Sequence, residues 1–441
     1  MADGILLERH GVPAASILTD AFTASGNAMA RTMGADGYRY AVIPHPVSNL
    51  TPDECRERAR NVLPEVLGIL SAGDEASSAD VRRQGAGPDH TPAEPAGLTT
   101  DRVRELQRVV EYYFERGWTD GLPVVPVTEA TVCDFIDYVG RDPDEVILRV
   151  EHLGTACTVR LAAVAAAMAG CTREHFPVLL AVLDSFQPSV DTALLQSTSG
   201  QAIMVTVNGP IRRALGFNAR ANVFGPGYRA NAVIGRATRL VVINALGIRS
   251  GEFDQGTQGT PGKYCLCIAE NEEESPWEPL HVERGFPAEA SVTTTHFARG
   301  TFPVDNRSGT EPEQILLNIA DTMSCTTASR GCTVVMGPEH AHLIASRGWS
   351  KQEVKRFIWE HWGRRRGDLR RFGLVHDGIA AGGRLGAVEA PDEEFLRFAE
   401  SPDAILLVVA GARNAGMTTV VPMIRPLFHS QVVQDPRGRQ R

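Results

Sequence analysis

Cysteine is scarce in this chain, with eight residues in 441, too few and too scattered for the disulfide scaffold of a small secreted domain. Positive charge is in deficit: 44 Lys and Arg face 53 Asp and Glu, a net charge of -9, which argues against non-specific nucleic-acid binding. The one basic cluster, Arg364 to Arg366 with Arg370 and Arg371, is short and reads as a solvated helix end. Long apolar runs are missing too. The best candidate, "LAAVAAAMAG", falls well short of the ~20 residues that span a bilayer and reads as a buried helix. The opening "MADGILLERHG" has neither the basic head nor the apolar core of a secretory signal. These absences lead to the expectation of a cytoplasmic protein with reduced thiols, bound to neither nucleic acid nor membrane.

What is present describes a globular α/β chain. Hydrophobic residues make up 43% of it, enough for substantial cores, and a prior of about 150 residues per domain suggests about three folding units. The first seventy residues alternate strand, helix, strand, helix. The last helix is announced by Thr51-Pro52-Asp53-Glu54, which supplies an N-cap, a proline at the first helical position and a capping-box glutamate. Such alternation implies parallel pairing in a doubly wound sheet, yet two strands are too few to complete one. The fold class expected is α/β, with a partial doubly wound (Rossmann-like) N-terminal unit and a larger mixed α/β domain. The boundaries drawn are a partial unit over 1–71, a flexible polar and proline-punctuated linker over 72–99, a mixed core over 100–300, and a C-terminal α/β region over 301–441 packed on that core. No internal repeat is evident.

Four constellations could carry chemistry. The first is "KYCLCIAENEEESPWEPLHVERGF", Lys263 to Phe286. Cys265 and Cys267 flank Leu266, so on a strand both thiols face one side. Glu270, Glu272 and Glu273 follow at the strand's end, and His281 and Arg284 come after a proline-stiffened approach. Carboxylates beside a histidine can hold a metal or act as acid and base with separated pKa values. The competing reading is a buried thiol pair followed by a salt-bridged loop. The second constellation adds Cys325 and Cys332, which with Cys265 and Cys267 could make a four-thiolate zinc or iron site, although isolated cysteines more often fill small apolar spaces.

The third constellation is Asn208, Gly209, Arg212, Asn222, Gly225, Gly227, Arg229, Asn231 and Arg236. Glycines before a helix leave N–H groups open to an anion, and arginines supply forked donors; turn and capping roles compete with this reading. The fourth is Gly337-Pro338-Glu339-His340, at the carboxyl end of a strand, where open α/β sheets bind ligands. His340 there could be a base or metal ligand. Asp254, Lys263 and Trp118 to Asp120 are further pocket candidates.

The stretches "LLERHGVPAASILTDAF", "MARTMG" and "YAVIPHPVSNLTPDE" resemble the second half of the UGSC-like domain, a family named for a Cys/Sec-Gly-Ser-Cys motif and related to selenoprotein components of the glycine-reductase type. The resemblance covers the first seventy residues or so and implies a thiolate or selenolate nucleophile at a strand-to-helix turn. That motif lies before the resembling region in the family and is absent from this chain, so the resemblance implies that a partner or an upstream segment supplies the missing half. The remainder, including "GWTDGLPVVP", "VNGPIR" and "GPEHA", resembles an uncharacterised bacterial family associated with such domains.

Together these readings point to an enzyme acting on a small anionic molecule by thiol- or metal-assisted redox or carbon–heteroatom bond-cleaving chemistry, an oxidoreductase or lyase. Catalysis falls to Cys267, Glu270, Glu272, Glu273, His281 and His340. Substrate binding falls to Asn208, Arg212, Asn222, Arg229, Asn231, Arg236 and Arg284. Zinc or iron is the metal expected, and a protein partner or homo-oligomer completes the N-terminal half-domain. The rival is a non-catalytic ligand-binding or docking subunit whose cysteines are structural.

Overall fold

The structure, a computed structural model, describes residues 1–47, 50–71, 99–326, 329–374, 391–434 and 436. The linker expected over 72–99 lies, but for its last residue, outside them. Chain contacts divide the molecule into two compact units: Met1–Thr99 with Arg307–Thr310 and Arg413–Gly416, and the rest.

The first unit holds α1 (Ala2–Arg9), β1 (Ile17–Thr19), α2 (Thr23–Thr32), β2 (Ala41–Ile43) and α3 (Pro52–Ser71). β1 and β2 pair in parallel, with Ile17 opposite Ala41. The start of α3 is fixed as its sequence suggests: Thr51 N–H and Oγ1 both donate to Glu54 Oε2 at 2.7 Å.

The second unit is a larger mixed α/β domain. Its elements are α4 (Thr100–Glu115), α5 (Glu129–Val139), β3 (Val146–Val150), β4 (Thr155–Thr158), α6 (Val159–Ala169), α7 (Phe176–Asp184), α8 (Pro188–Leu195), β5 (Ala202–Asn208), α9 (Ile211–Ala214), α10 (Arg229–Asn244), β6 (Cys267–Ala269), α11 (Leu280–Glu283), β7 (Val292–Ala298), β8 (Phe302–Asp305), α12 (Pro312–Ser324), β9 (Gly331–Met336), α13 (Pro338–Ser346), α14 (Lys351–His361), β10 (Gly363–Arg365), α15 (Arg366–Arg371), β11 (Phe395–Arg397), β12 (Ile405–Val409), β13 (Met417–Met423) and β14 (Phe428–Val432). Caps delimit several helices. Thr128 and Thr158 accept N–H bonds at the starts of α5 and α6, and left-handed Gly140 and Gly170 end them.

Two four-stranded sheets form the framework, in the orders β14-β7-β5-β6 and β12-β9-β13-β8. Strand alternation assigns each sheet two buried faces. Val205, Val207, Cys267 and Ala269 turn toward α6, α7 and α10 in one core, and Val334, Met336, Leu407 and Val409 turn toward α12, α13 and α14 in another. The opposite faces meet each other through Met204, Ile268, Val335 and Val421, and through Leu406, Val408, Met423 and the α11 residue Leu280. The unit is therefore built as helices, sheet, sheet, helices. The layer between the sheets also holds polar groups, among them a hydrogen bond between Thr333 Oγ1 and His296 Nε2 at 2.9 Å.

The sheets repeat one plan that the sequence does not show as a repeat. In each, a central strand leads through Gly-Pro and helices to a parallel edge strand, and an antiparallel strand follows on the central strand's other side. β5, β6 and β7 follow this plan, and so do β9, β12 and β13. The fourth strands are exchanged. β8 follows β7 in sequence but pairs with β13, while β14 follows β13 but pairs with β7. Gly209-Pro210 and Gly337-Pro338 are the common residues of the two plans.

Candidate functional site

The carboxyl ends of the two parallel pairs converge. Asn271, just beyond β6, donates its N–H to Val409 O at the end of β12 at 2.7 Å, and its side chain donates to Gly411 O at 3.3 Å. Asn208 ends β5 and turns to the face between the sheets. Beside it stands Glu270, one residue past β6 and fully buried.

Glu270 Oε2 accepts from Asn208 Nδ2 at 2.5 Å and from the Leu280 N–H at 2.8 Å. Its Oε1 has no partner among the described residues. Burial raises its pKa; the charge of Lys351, the Leu280 N–H and the Asn208 amide offset only part of that. Glu272 is held by three donors: Asn208 Nδ2 at 3.1 Å and the Gly209 N–H at 2.7 Å reach Oε1, and Arg212 Nη2 at 2.6 Å reaches Oε2. Gly209 is needed for this. Its φ is +81°, and a Cβ there would collide with the Ala290 carbonyl.

Arg212, itself buried, donates to the Glu270 carbonyl at 2.7 Å and to both oxygens of Glu273 at 3.2 Å. Burial opposes ionisation of Glu273, but Arg212 and Arg213 outweigh it and lower its pKa. Glu270 and Glu273 are thus two carboxyls on one short loop with pKa values pushed in opposite directions. His281 is fully buried on α11. Its Nε2 donates to Ala288 O at 3.2 Å, and its Nδ1, 4.0 Å from Glu272 Oε1, has no hydrogen-bond partner among the described residues. Asn208 Oδ1, Asn271 Oδ1 and Arg212 Nε are buried and likewise have no partner among the described residues. Buried polar atoms are nearly always paired, so this concentration marks the place where the fold departs from ordinary packing.

The structure therefore brings Asn208, Arg212, Glu270, Glu272, Glu273 and His281 into one network. Gly209, whose N–H the sequence leaves open to an anion, meets the carboxylate of Glu272. Sequence reasoning passed over Asn271, and over Lys351, whose charge acts on Glu270.

Other expected residues sit elsewhere. Arg229 caps α6 by donating from Nε and Nη2 to Gly170 O at 3.1 and 2.7 Å. Arg236 pairs with Asp120 and also donates to the Leu122 and Pro123 carbonyls. Asn231 ties the Asn218 backbone to Cys267 O, and Asn222 takes φ +61° in a turn closed onto Pro226 O. These four groups are engaged by the protein itself, Arg229 and Asn222 in a cap and a turn, Asn231 and Arg236 in links between distant segments. Asp254 is likewise held by Lys263 and Arg239. His340, the α13 residue that matches Arg212 when the Gly-Pro pairs are aligned, has both nitrogens engaged by Thr418 Oγ1 and Asn306 O at 2.9 Å. Burial lowers its pKa. Arg284 lies apart from the network, its Nε on Ser430 Oγ and its guanidinium over the Phe428 ring at 4.8 Å.

The four cysteines do not converge. Cys265 and Cys267 border the core under α6, α7 and α10, Cys332 is buried in the core under α12 to α14, and Cys325 is exposed. Among the described residues no group of three or more His, Cys, Asp or Glu is arranged to hold a metal ion, so these side chains do not fit the expected zinc or iron centre. Burial raises the Cys267 thiol well above its ordinary pKa and Cys332 to about 12, the reverse of what a thiolate nucleophile requires.

Comparison with known proteins touches only the first unit. Residues 1–72 match the family model of the UGSC family, in agreement with the resemblance of the opening stretches. No curated protein and no solved structure matches the chain. Among the described residues, no helix is long and apolar enough to cross a membrane.

Proposed function

We propose that the chain is an acid–base enzyme acting on a small anionic molecule, with Glu270 as the protonated acid and the Glu272–His281 pair as the base. The observation that carries this reading is Glu270 itself: a fully buried carboxyl with a raised pKa and one unpartnered oxygen, where the ends of β5 and β6 meet the end of β12. Titratable groups driven apart by their surroundings, as Glu270 and Glu273 are, commonly mark acid–base sites; Glu272 and His281 are assigned to the base by position alone, Glu272 sharing the Asn208 amide with Glu270 and His281 lying beside Glu272. Arg212 orients the carboxylates of Glu272 and Glu273 rather than the substrate, since its forks are taken by them. Arg213 and Arg220, whose side chains are mostly exposed and pair only loosely with Glu273 and Glu274 at 3.7 and 3.4 Å, are the cations open to an anion. Bond cleavage assisted by proton transfer, as in a lyase, suits these groups better than thiol chemistry at Cys267.

Proton abstraction is testable without knowing the physiological substrate. The protein is incubated in deuterium oxide with a panel of small carboxylic and phosphorylated acids, and exchange at carbon is followed by NMR. Enzyme-dependent exchange that disappears in Glu272→Gln and in His281→Ala, both still folded, supports the reading. Exchange unaffected by either substitution removes the loop from the chemistry.

A second reading concerns the first unit. Its parallel pair has two strands of three residues each, and parallel sheets are stable when covered on both faces and extended at their edges. Ile17 and Val42 of that pair and Leu63, Leu67 and Leu70 of α3 remain exposed. We infer that a protein partner or a second copy completes this half-domain.

A further inference from the structure

We propose, resting on the acid–base reading above, that the group expelled at Glu270 is a hydroxyl. The substrate is then a small carboxylic acid with a hydroxyl β to its carboxylate. Three atoms point to this leaving group. Glu270 Oε1, Asn208 Oδ1 and Asn271 Oδ1 have no hydrogen-bond partner among the described residues, and all three side chains are fully buried. They belong to one cluster, since Asn208 bonds Glu270 directly at 2.5 Å and Asn271 follows Glu270 in the chain.

What each atom offers is fixed by its neighbours. Glu270 Oε2 already accepts from Asn208 Nδ2 and from the Leu280 N–H. It is therefore the carbonyl oxygen of the protonated acid, and the acidic hydrogen lies on Oε1. Neither amide can be turned over. Asn208 Nδ2 donates to Glu270 and Glu272, and Asn271 Nδ2 donates to Gly411 O at 3.3 Å, so rotation would set oxygen against oxygen. The cluster thus presents one O–H donor and two acceptors. A departing water matches this set: its oxygen takes one proton from the acid, and its two hydrogens satisfy the two amides.

Other leaving groups fit less well. An amine departs from an ammonium that already carries its proton, and has no use for a neutral acid. Phosphate departs as an anion and would meet the amide oxygens, with Arg212 already occupied by Glu272 and Glu273. In the step itself, the Glu272–His281 pair removes a proton from the carbon beside the carboxylate. The C–H electrons form the C=C bond, the C–O bond breaks with its pair on oxygen, and Glu270 Oε1 supplies the proton that completes water. An unsaturated acid and water are the products. The base ends with one proton more and Glu270 with one fewer, and solvent restores both. The exposed Arg213 and Arg220 receive the carboxylate.

The test incubates the full chain in deuterium oxide, and separately in heavy-oxygen water, with malate, citrate, β-hydroxybutyrate and succinate, the last lacking a hydroxyl. Deuterium at carbon is read by NMR, and heavy oxygen by mass spectrometry of the recovered acids. Elimination followed by readdition of solvent is expected to carry heavy oxygen into at least one hydroxy acid. Glu270→Gln, which keeps the shape of the side chain, is expected to lower that incorporation about a hundredfold or more, the scale of a lost general acid. Deuterium entering without heavy oxygen would overturn the hydroxyl assignment and leave the acid–base reading standing. Heavy oxygen entering equally in Glu270→Gln would overturn it too. Neither label entering any of these acids would also overturn it, and the acid–base reading is then decided by the phosphorylated acids of the wider panel.

Discussion

Glu270 is the residue on which acidity and stability are linked most directly. Its pKa in the fold is raised, so ionising it there costs free energy that the unfolded chain does not require. Its favourable contribution is complete below the ordinary carboxylate value of 4.5 and is lost as pH rises through the raised folded value. Glu270→Gln keeps acceptors and donors of the same shape and carries no charge. The variant should therefore melt above the parent at neutral and alkaline pH, and the gap should close on acidification, by about 1.4 kcal/mol for each unit between the two pKa values. Urea unfolding across a pH series measures this, and a gap that grows toward acid would contradict it. The cysteines make a complementary case. Cys55 and Cys325 are exposed, whereas Cys157, Cys171, Cys267 and Cys332 are buried. A thiol reagent should label the exposed pair rapidly and the buried four only on unfolding. Cys267→Ser should cost about 1–3 kcal/mol through a buried hydroxyl without a partner and leave proton exchange intact.

At the scale of elements, α11 and α14 are joined by a buried ion cluster in which Lys351 and Lys355 approach the Glu283 oxygens at 2.8 and 2.7 Å. Burial alone would raise Glu283, but the two ammonium groups outweigh it and hold its pKa down. This contribution is present above the unfolded carboxylate pKa and lost as pH falls through the depressed folded value. Glu283→Gln leaves two lysines buried against a neutral group and should cost about 3–5 kcal/mol, seen as a lowered denaturation midpoint. A shift of a few tenths would show that the lysines escape to water. Elements also show how far sequence reaches. Helices bounded by Thr128 and Gly140, by Thr158 and Gly170, or by the Ser350–Glu353 box are legible because their signals are local. β7 is not legible in "VTTTHFA", which has no apolar alternation; both of its faces are buried, and threonines fill them. The roles of Arg229 and Arg236 were not legible either, since their partners Gly170 and Asp120 lie far away in sequence.

The whole molecule owes its site to connectivity. β8 and β14 each cross to the other sheet, which binds the two similar halves together and brings the ends of β5, β6 and β12 to one place. Composition and periodicity contain the strands of the two halves but not their exchange, so the clustering of Asn208, Glu270 and His281 was legible only in part. The acids and the histidine were visible as a dense loop; the buried setting that separates Glu270 from Glu273 was not. The partner proposed for the first unit is also tested at this scale. Light scattering coupled to size exclusion should show a dimer or a complex with a second chain, and substituting Leu63 and Leu67 by Ser should disperse it. A monodisperse monomer with the intact sequence contradicts that proposal.

The central claim is that Glu270 is a protonated carboxyl where other carboxyls have already ionised. Infrared difference spectra of the parent against Glu270→Gln, recorded through a pH titration, read this directly. The account predicts a protonated-carboxyl band in the parent that persists above the pH at which exposed carboxylates ionise and is missing from the variant. A parent spectrum in which that band disappears together with those of the exposed carboxyls, leaving no difference from Glu270→Gln, would contradict it.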